Sequence, residues 1–148
     1  MNTENSESLL AQWFRRVWNE EDGSAIDELA TADVASHGLV KTIRGAERWR
    51  KEFYEPMRAS FDIVKVEVLD EVAAGDKIFA RMAATMVPKV TGEPVSMSGT
   101  SMMRIADGKI AEAWDVWDFL GLLESMKLLP SASFGRAITG ALERHPMA

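Results

Sequence analysis

The sequence contains no cysteine, which excludes disulfide bonds, thiolate metal ligands and thiol nucleophiles. Histidine is nearly as scarce: His37 lies in "ADVASHGL" and His145 in the tail "ERHPMA". With no spaced histidine pair, a metal site has little to be built from, and none is expected. No apolar run approaches the roughly 20 residues that span a bilayer. The polar start "MNTENSES" lacks a basic segment followed by an apolar one, so no signal peptide is read there and a cytoplasmic location is expected. Glycine-rich phosphate loops and a "GxSxG" nucleophile turn are missing too. Nor does one sign of charge accumulate. The 17 Lys and Arg and 23 Asp and Glu are interspersed, for a net charge of -6, so neither a nucleic-acid footprint nor a polybasic membrane patch is present. The expected partners are a small apolar molecule and a second copy of the chain.

What is present suffices for one domain over residues 1–148: at 47% hydrophobic content the chain can close one core and leave a cavity inside it. "ESLLAQWFRRVW" places Leu10, Trp13, Phe14, Val17 and Trp18 at helical spacing and predicts an amphipathic first helix. "SAIDELATAD" predicts a short second helix capped by Ser24, and "VASHGLVKTIRG" is β-prone, with breaks at Gly38 and Gly45. In "AERWRKEFYEPMRASF", Trp49, Phe53 and Met57 fall four apart on a third helix that Pro56 is expected to bend or shorten. From Phe61 the period drops to two, giving four β segments separated by "AGD", "TGEP" and "DG" turns short enough for antiparallel neighbours. "FLGLLESMKLL" returns to helical spacing before Pro130, and residues 131–148 predict a helical extension capped by Ser131. Helices followed by a meandering sheet make an α+β fold with helices on one face, a curved sheet closed into a cone.

The run "GKIAEAWDVWD" poses the functional question by setting Asp115 and Asp118 among Trp114, Val116 and Trp117. Side chains alternate along a strand. In "VSMSGTSMMRI" the set Val95, Met97, Gly99, Ser101, Met103 and Ile105 is largely apolar and is expected to face the helices. In the next strand the odd set (Ala111, Ala113, Asp115, Trp117) and the even set (Ile110, Glu112, Trp114, Val116, Asp118) are both mixed. Glu112 suits the surface and the small alanines suit the interior, so Asp115 is assigned inward and Asp118 to the cap of the following helix. A single β-bulge would exchange the two roles. A carboxylate walled by Trp, Met and Ala has its charged form disfavoured, which raises its pKa toward the range useful for acid/base work. His37 is a lone loop histidine, a residue type that more often hydrogen-bonds than reacts. The methionines Met82, Met86, Met97, Met102 and Met103 read as core that could also line an adaptable pocket.

The segments "FRRVWNEEDGSAIDELATADVASHG" and "GTSMMRIADGKIAEAWDVWDFLGLLESM", with "GKI.E.WD" followed by "D.LGLL" and a histidine after the second helix, resemble the SnoaL-like polyketide cyclases of the nuclear transport factor 2-like superfamily. The resemblance implies a cone-shaped α+β barrel whose curved, mainly antiparallel sheet wraps around N-terminal helices, dimeric through its outer sheet face. It also implies cofactor-free ring closure by aldol chemistry with an Asp near the end of the last strand, a position that matches Asp115, with Asp118 as neighbour. His37 matches the family histidine and would line the pocket. Phe14, Trp18, Trp49, Phe53, Met57, Met103 and Trp117 would wall it, with Met97 on the inward parity. Where well-studied cyclases pair the Asp with a histidine on the adjacent strand, this chain places Ser101.

Three functions follow from these expectations. The first is proton transfer beside a carbonyl in an apolar ligand, with Asp115 as acid/base and Ser101 or His37 hydrogen-bonding the enolate oxygen. The second is a non-catalytic ligand-binding or assembly module. The third, epoxide hydrolysis, needs an inward arginine, for which Arg81 and Arg104 are the formal candidates.

Overall fold

The helix that begins the domain is started by Ser8, whose hydroxyl accepts a hydrogen bond from the Ala11 N–H (3.0 Å). A computed structural model describes residues 6–140. Helix α1 (Leu9–Trp13) runs on as a π-helical stretch (Phe14–Asn19), and Leu10, Trp13, Phe14, Val17 and Trp18 are all buried on one side. Helix α2 (Ala25–Leu29) follows Ser24, but the predicted serine cap does not form. The Ser24 hydroxyl turns back to Asp22 Oδ1, which also accepts the Ser24 N–H, so the aspartate organises this turn.

Strand β1 (Ala30–His37) and the short β2 (Ile43–Arg44) come next, then α3 (Ala46–Trp49), a second π-helical stretch (Arg50–Tyr54) and α4 (Glu55–Ser60). Pro56 does not stop this helix. The widened π turn lies just ahead of the proline, whose ring and missing N–H disturb a regular α-helical ladder. Each π-helical stretch carries rings onto the helices' inner side: Phe14 and Trp18 from the first, Phe53 and Tyr54 from the second. The buried Tyr54 hydroxyl donates to the Val17 carbonyl (3.1 Å), tying the two helices together.

Strands β3 (Phe61–Ala74), β4 (Lys77–Pro88), β5 (Val95–Ala106) and β6 (Lys109–Trp117) form a meander, and the six-stranded sheet has the order β2-β1-β6-β5-β4-β3. All neighbours are antiparallel except β1 and β6, which run parallel. The sheet curls around the helices as the α+β cone. At its outer strand, Asn19 substitutes for a missing neighbour: its amide donates to the Val66 carbonyl and accepts from the Val66 N–H (2.8 and 2.7 Å).

The mixed parity of β6 has a structural cause. Arg104 pairs with Glu112 while Ile105 pairs with Ile110, so Ala111 is the extra residue of a bulge. Ile110 therefore points inward before the bulge, and Ala113 and Asp115 point inward after it. Ala111, assigned inward from the sequence, occupies the bulge instead.

Helix α5 (Phe119–Ser125) ends five residues ahead of Pro130, earlier than predicted, and the chain turns at Lys127 in the left-handed region (φ 59°). Helix α6 (Ser133–Ile138) is not capped by Ser131: Ala132 precedes it, and Glu124 of α5 accepts the Ser133 N–H (2.8 Å). The remainder of the predicted extension, 141–148 with His145, lies outside the described residues. Among those described, no helix is long and apolar enough to cross a membrane.

Candidate active site

Asp115 and Ser101 stand directly opposite each other on β6 and β5, both facing the helices. Asp115 is 8% exposed and Ser101 1%. Among the described residues, no lysine, arginine or histidine pairs with Asp115. Burial pushes its carboxyl up to about 6, with the nearby Ser101 hydroxyl pulling weakly the other way. That hydroxyl closes no hydrogen bond of normal geometry. It therefore neighbours the carboxyl without holding it tightly.

Asp115 belongs to the wall of a pocket whose other lining residues are Trp13, Phe14, Trp18, Leu39, Trp49, Phe53, Met57, Val64, Val66, Ala84, Met86, Met97, Trp117 and Phe119. The gap spans about 500 Å³ including its mouth, crowded by the rings that line it. The space is therefore narrow. Trp49 packs against Trp13, Trp18, Phe53 and Tyr54, and Trp18 against Phe53 and Tyr54, in mostly edge-to-face contacts that include Trp13–Trp49 at 5.0 Å and Trp18–Tyr54 at 5.2 Å. Such rings supply a stiff apolar wall, and Met57, Met86 and Met97 supply its adjustable side.

Two glycines make the geometry possible. At Gly99, opposite Trp117, a Cβ would run into the indole, so the absent side chain is what lets Trp117 lie across β5 and reach Phe14 edge-on (6.2 Å). Gly38 has φ 89°, and a Cβ there would strike the Asp115 carbonyl oxygen. The chain can thus turn tightly over β6 and bring Leu39 to the pocket.

Of the residues assigned from the sequence, Asp115, Phe14, Trp18, Trp49, Phe53, Met57, Met97 and Trp117 meet in this pocket. Met103 lines a smaller neighbouring space that Asp115 also borders. Ser101, beside Asp115 on the adjacent strand, is not part of the lining. Asp118 is not inward: it caps α5, accepting the Gly121 N–H (2.9 Å).

His37 is placed differently from the expectation. It pairs with Trp114 on β6 and stacks on that indole (5.5 Å) on the sheet's other face. One ring nitrogen meets Thr42 Oγ1 (3.0 Å) and the other Glu112 Oε2 (3.2 Å). Alternation decides this: Ser36 takes the inward position of β1, so its neighbour must face out. The two candidate arginines also lie outside, Arg81 paired with Asp70 and Arg104 beside Glu112. Among the described residues, no arginine relay of the kind epoxide hydrolysis needs surrounds Asp115.

The sequence reading missed Trp13, Leu39, Val64, Val66, Ala84 and Phe119 as lining, and Ser36 as a buried polar group, while Met86 belonged to the methionine set read as core able to line a pocket. Trp13 lay on the apolar stripe of the first helix, and Val64 and Val66 alternate with charged residues on β3, so those signals existed. Leu39 and Phe119 sit at element junctions where no period applies.

A pocket with one unpaired carboxylate can move a proton to or from a bound molecule. Comparison with known proteins agrees in fold. TsrD from Streptomyces laurentii superposes with a TM-score of 0.74 at 22% identity, covering 87% of this chain and 99% of that one. IdmH, a candidate polyketide cyclase from Streptomyces antibioticus, gives 0.69 at 25% identity over 80% and 96%. AclR from Streptomyces galilaeus, a candidate hydroxylase, gives 0.68 at 25% identity over 82% and 92%. No curated protein matches significantly. The SnoaL-like polyketide cyclase pattern covers residues 8–126, from the first helix through α5, and the chain belongs to that family.

Proposed function

We propose that the protein catalyses cofactor-independent proton transfer beside a carbonyl group of an apolar, polyketide-like molecule held in the pocket. Ionised Asp115 takes a proton from the carbon next to the carbonyl and becomes the neutral acid. The resulting enolate either attacks a second carbonyl of the same molecule, closing a ring, or is reprotonated at another carbon. Asp115 then gives its proton to the product. Apart from Asp115, the lining residues' polar side-chain groups are the indole N–H groups of Trp13, Trp18, Trp49 and Trp117, which are the donors available to a developing enolate oxygen. Ser101 acts through Asp115, as a neighbour that tunes its affinity for the proton.

The observation that carries this reading is the unpaired burial of Asp115 in an otherwise apolar wall, which holds its carboxyl at about 6. Structural carboxylates usually have a cation or several N–H donors, and among the described residues Asp115 has neither. The test is α-proton exchange of 2-tetralone in deuterated buffer, followed by NMR. The wild type should accelerate exchange and Asp115→Asn should remove the acceleration while still binding the ketone. Equal rates in the two proteins would sink the mechanism and leave a ligand-binding module. The same reading includes a homodimer through the outer sheet face, where Ile63, Phe79 and Val116 stand exposed, to be checked by sedimentation.

A further inference from the structure

Asp115 borders two spaces. Besides the main pocket, a second chamber lies against it, with a gap of about 340 Å³ including its mouth. Its walls are Ala30, Val34, Met103, Ile110 and Ala113, the hydroxyl-bearing Ser36, and three residues shared with the main pocket: Trp13, Trp49 and Asp115. Two tryptophans in edge contact at 5.0 Å line both chambers, and Asp115 borders both.

The second chamber differs from the first in its chemistry. Ser36 is 5% exposed and buried among apolar neighbours. It pairs with Ala113 in the β1–β6 ladder, two residues before Asp115 on the same face, while Ser101 stands opposite Asp115 on β5. Ser36, Asp115 and Ser101 thus form a polar band across three adjacent strands of an otherwise apolar inner face. A buried hydroxyl beside a buried carboxyl is costly unless something polar lies between or against them. The space is large enough for one water, and two residues with polar side-chain oxygens, Ser36 and Asp115, line it.

We propose that this chamber is a subsite for one small hydroxyl-bearing group, held between Ser36 and Asp115, while the apolar body of the ligand occupies the main pocket. The group is either the oxygenated end of the substrate, passing beside Trp13 and Trp49, or a water that stays with the protein. The proposal builds on Asp115 facing the ligand. Its readouts are binding and titration, so it can fail while proton transfer stands, and the exchange assay can fail while the subsite stands.

The test uses two probes of equal size, 2-naphthaleneethanol and 2-propylnaphthalene, bound to the full chain and measured by calorimetry. Asp115 is also titrated by carbon-13 NMR without ligand. Three proteins are compared: wild type, Ser36→Ala, which removes one hydroxyl and little volume, and Ala113→Leu, which fills the chamber. A wild-type preference for the alcohol of roughly three- to tenfold, the worth of one hydrogen bond, that disappears in both variants assigns the subsite to the ligand. No preference, together with a ligand-free Asp115 titration that moves up in Ser36→Ala, assigns it to water, because losing a polar neighbour disfavours the charged carboxylate. A preference that survives both variants overturns the proposal, as does no preference with an unmoved titration. Ser36→Ala alone decides these outcomes should Ala113→Leu not fold.

Discussion

The backbone of Gly38 packs against the carbonyl of Asp115, with no room for a side chain between them. The contact joins the end of β1 to the residue that carries the proposed chemistry, and it exists only because position 38 has no Cβ and adopts φ 89°. Gly38→Ala should therefore cost on the order of 2–3 kcal/mol, from positive-φ strain plus a backbone clash. It should also lower 2-tetralone exchange by displacing β6 at Asp115. Chemical denaturation and the exchange assay measure the two effects, and an alanine variant of wild-type stability would show that the turn has another way to form.

Burial of Asp115 makes stability depend on pH. The folded carboxyl titrates at about 6, above the ordinary aspartate value of 3.8. Below about pH 4 both states are protonated and no penalty applies. As pH rises through about 4 to 6 the unfolded chain ionises first, so stability falls, and above about 6 the loss levels off at roughly 3 kcal/mol. Asp115→Asn should remove this slope and raise the melting temperature at pH 8 relative to wild type, while abolishing exchange. A variant less stable than wild type at pH 8 would mean that the carboxylate has a compensating partner.

Activity should follow the same group with the opposite sense. The base form of Asp115 grows as pH rises, so kcat/KM for exchange should climb about tenfold per pH unit below about 6 and flatten above it. A profile flat from pH 5 to 8 would point to another base.

The neighbouring acid and the histidine separate from Asp115 in such experiments. Asp118→Ala removes the α5 cap and should cost about 1 kcal/mol with little change in exchange rate. His37→Gln loosens the contacts to Thr42, Glu112 and Trp114 outside the pocket and should leave the exchange rate within about twofold of wild type. A tenfold fall in rate from either would return that residue to the candidate site.

Gly99 tests the pocket wall. Gly99→Ala brings a methyl group into the Trp117 ring, which must swing away from Phe14. Probe binding should weaken roughly tenfold, with a change in near-ultraviolet circular dichroism and a melting temperature lowered by overpacking. Unaltered binding would show that Trp117 has a second acceptable position.

Much of this arrangement was legible residue by residue. The odd positions of "VSMSGTSMMRI" do face inward, and Asp115 and Asp118 do divide into a buried acid and a helix cap. What misled was local evidence at breaks in the pattern. The bulge at Ala111 mixed the two faces of β6, and Ser24 and Ser131 looked like caps where Asp22 and Glu124 supply the hydrogen bonds.

The helices, the meander and the inward orientation of Asp115 are encoded locally, because hydrophobic period and strand alternation act between near neighbours. Long-range packing, by contrast, sets β1 parallel to β6. With that pairing it places Ser36 rather than His37 toward the interior and makes Trp13 and Trp49 a wall shared by two chambers around one carboxyl. The pairing of Ser36 with Ala113 joins residues far apart in the chain, and its register follows from the bulge, the Gly38 turn and the packing of the helices together. No local pattern encodes that register, since a shift of one residue leaves every local preference unchanged while reversing which side chains meet.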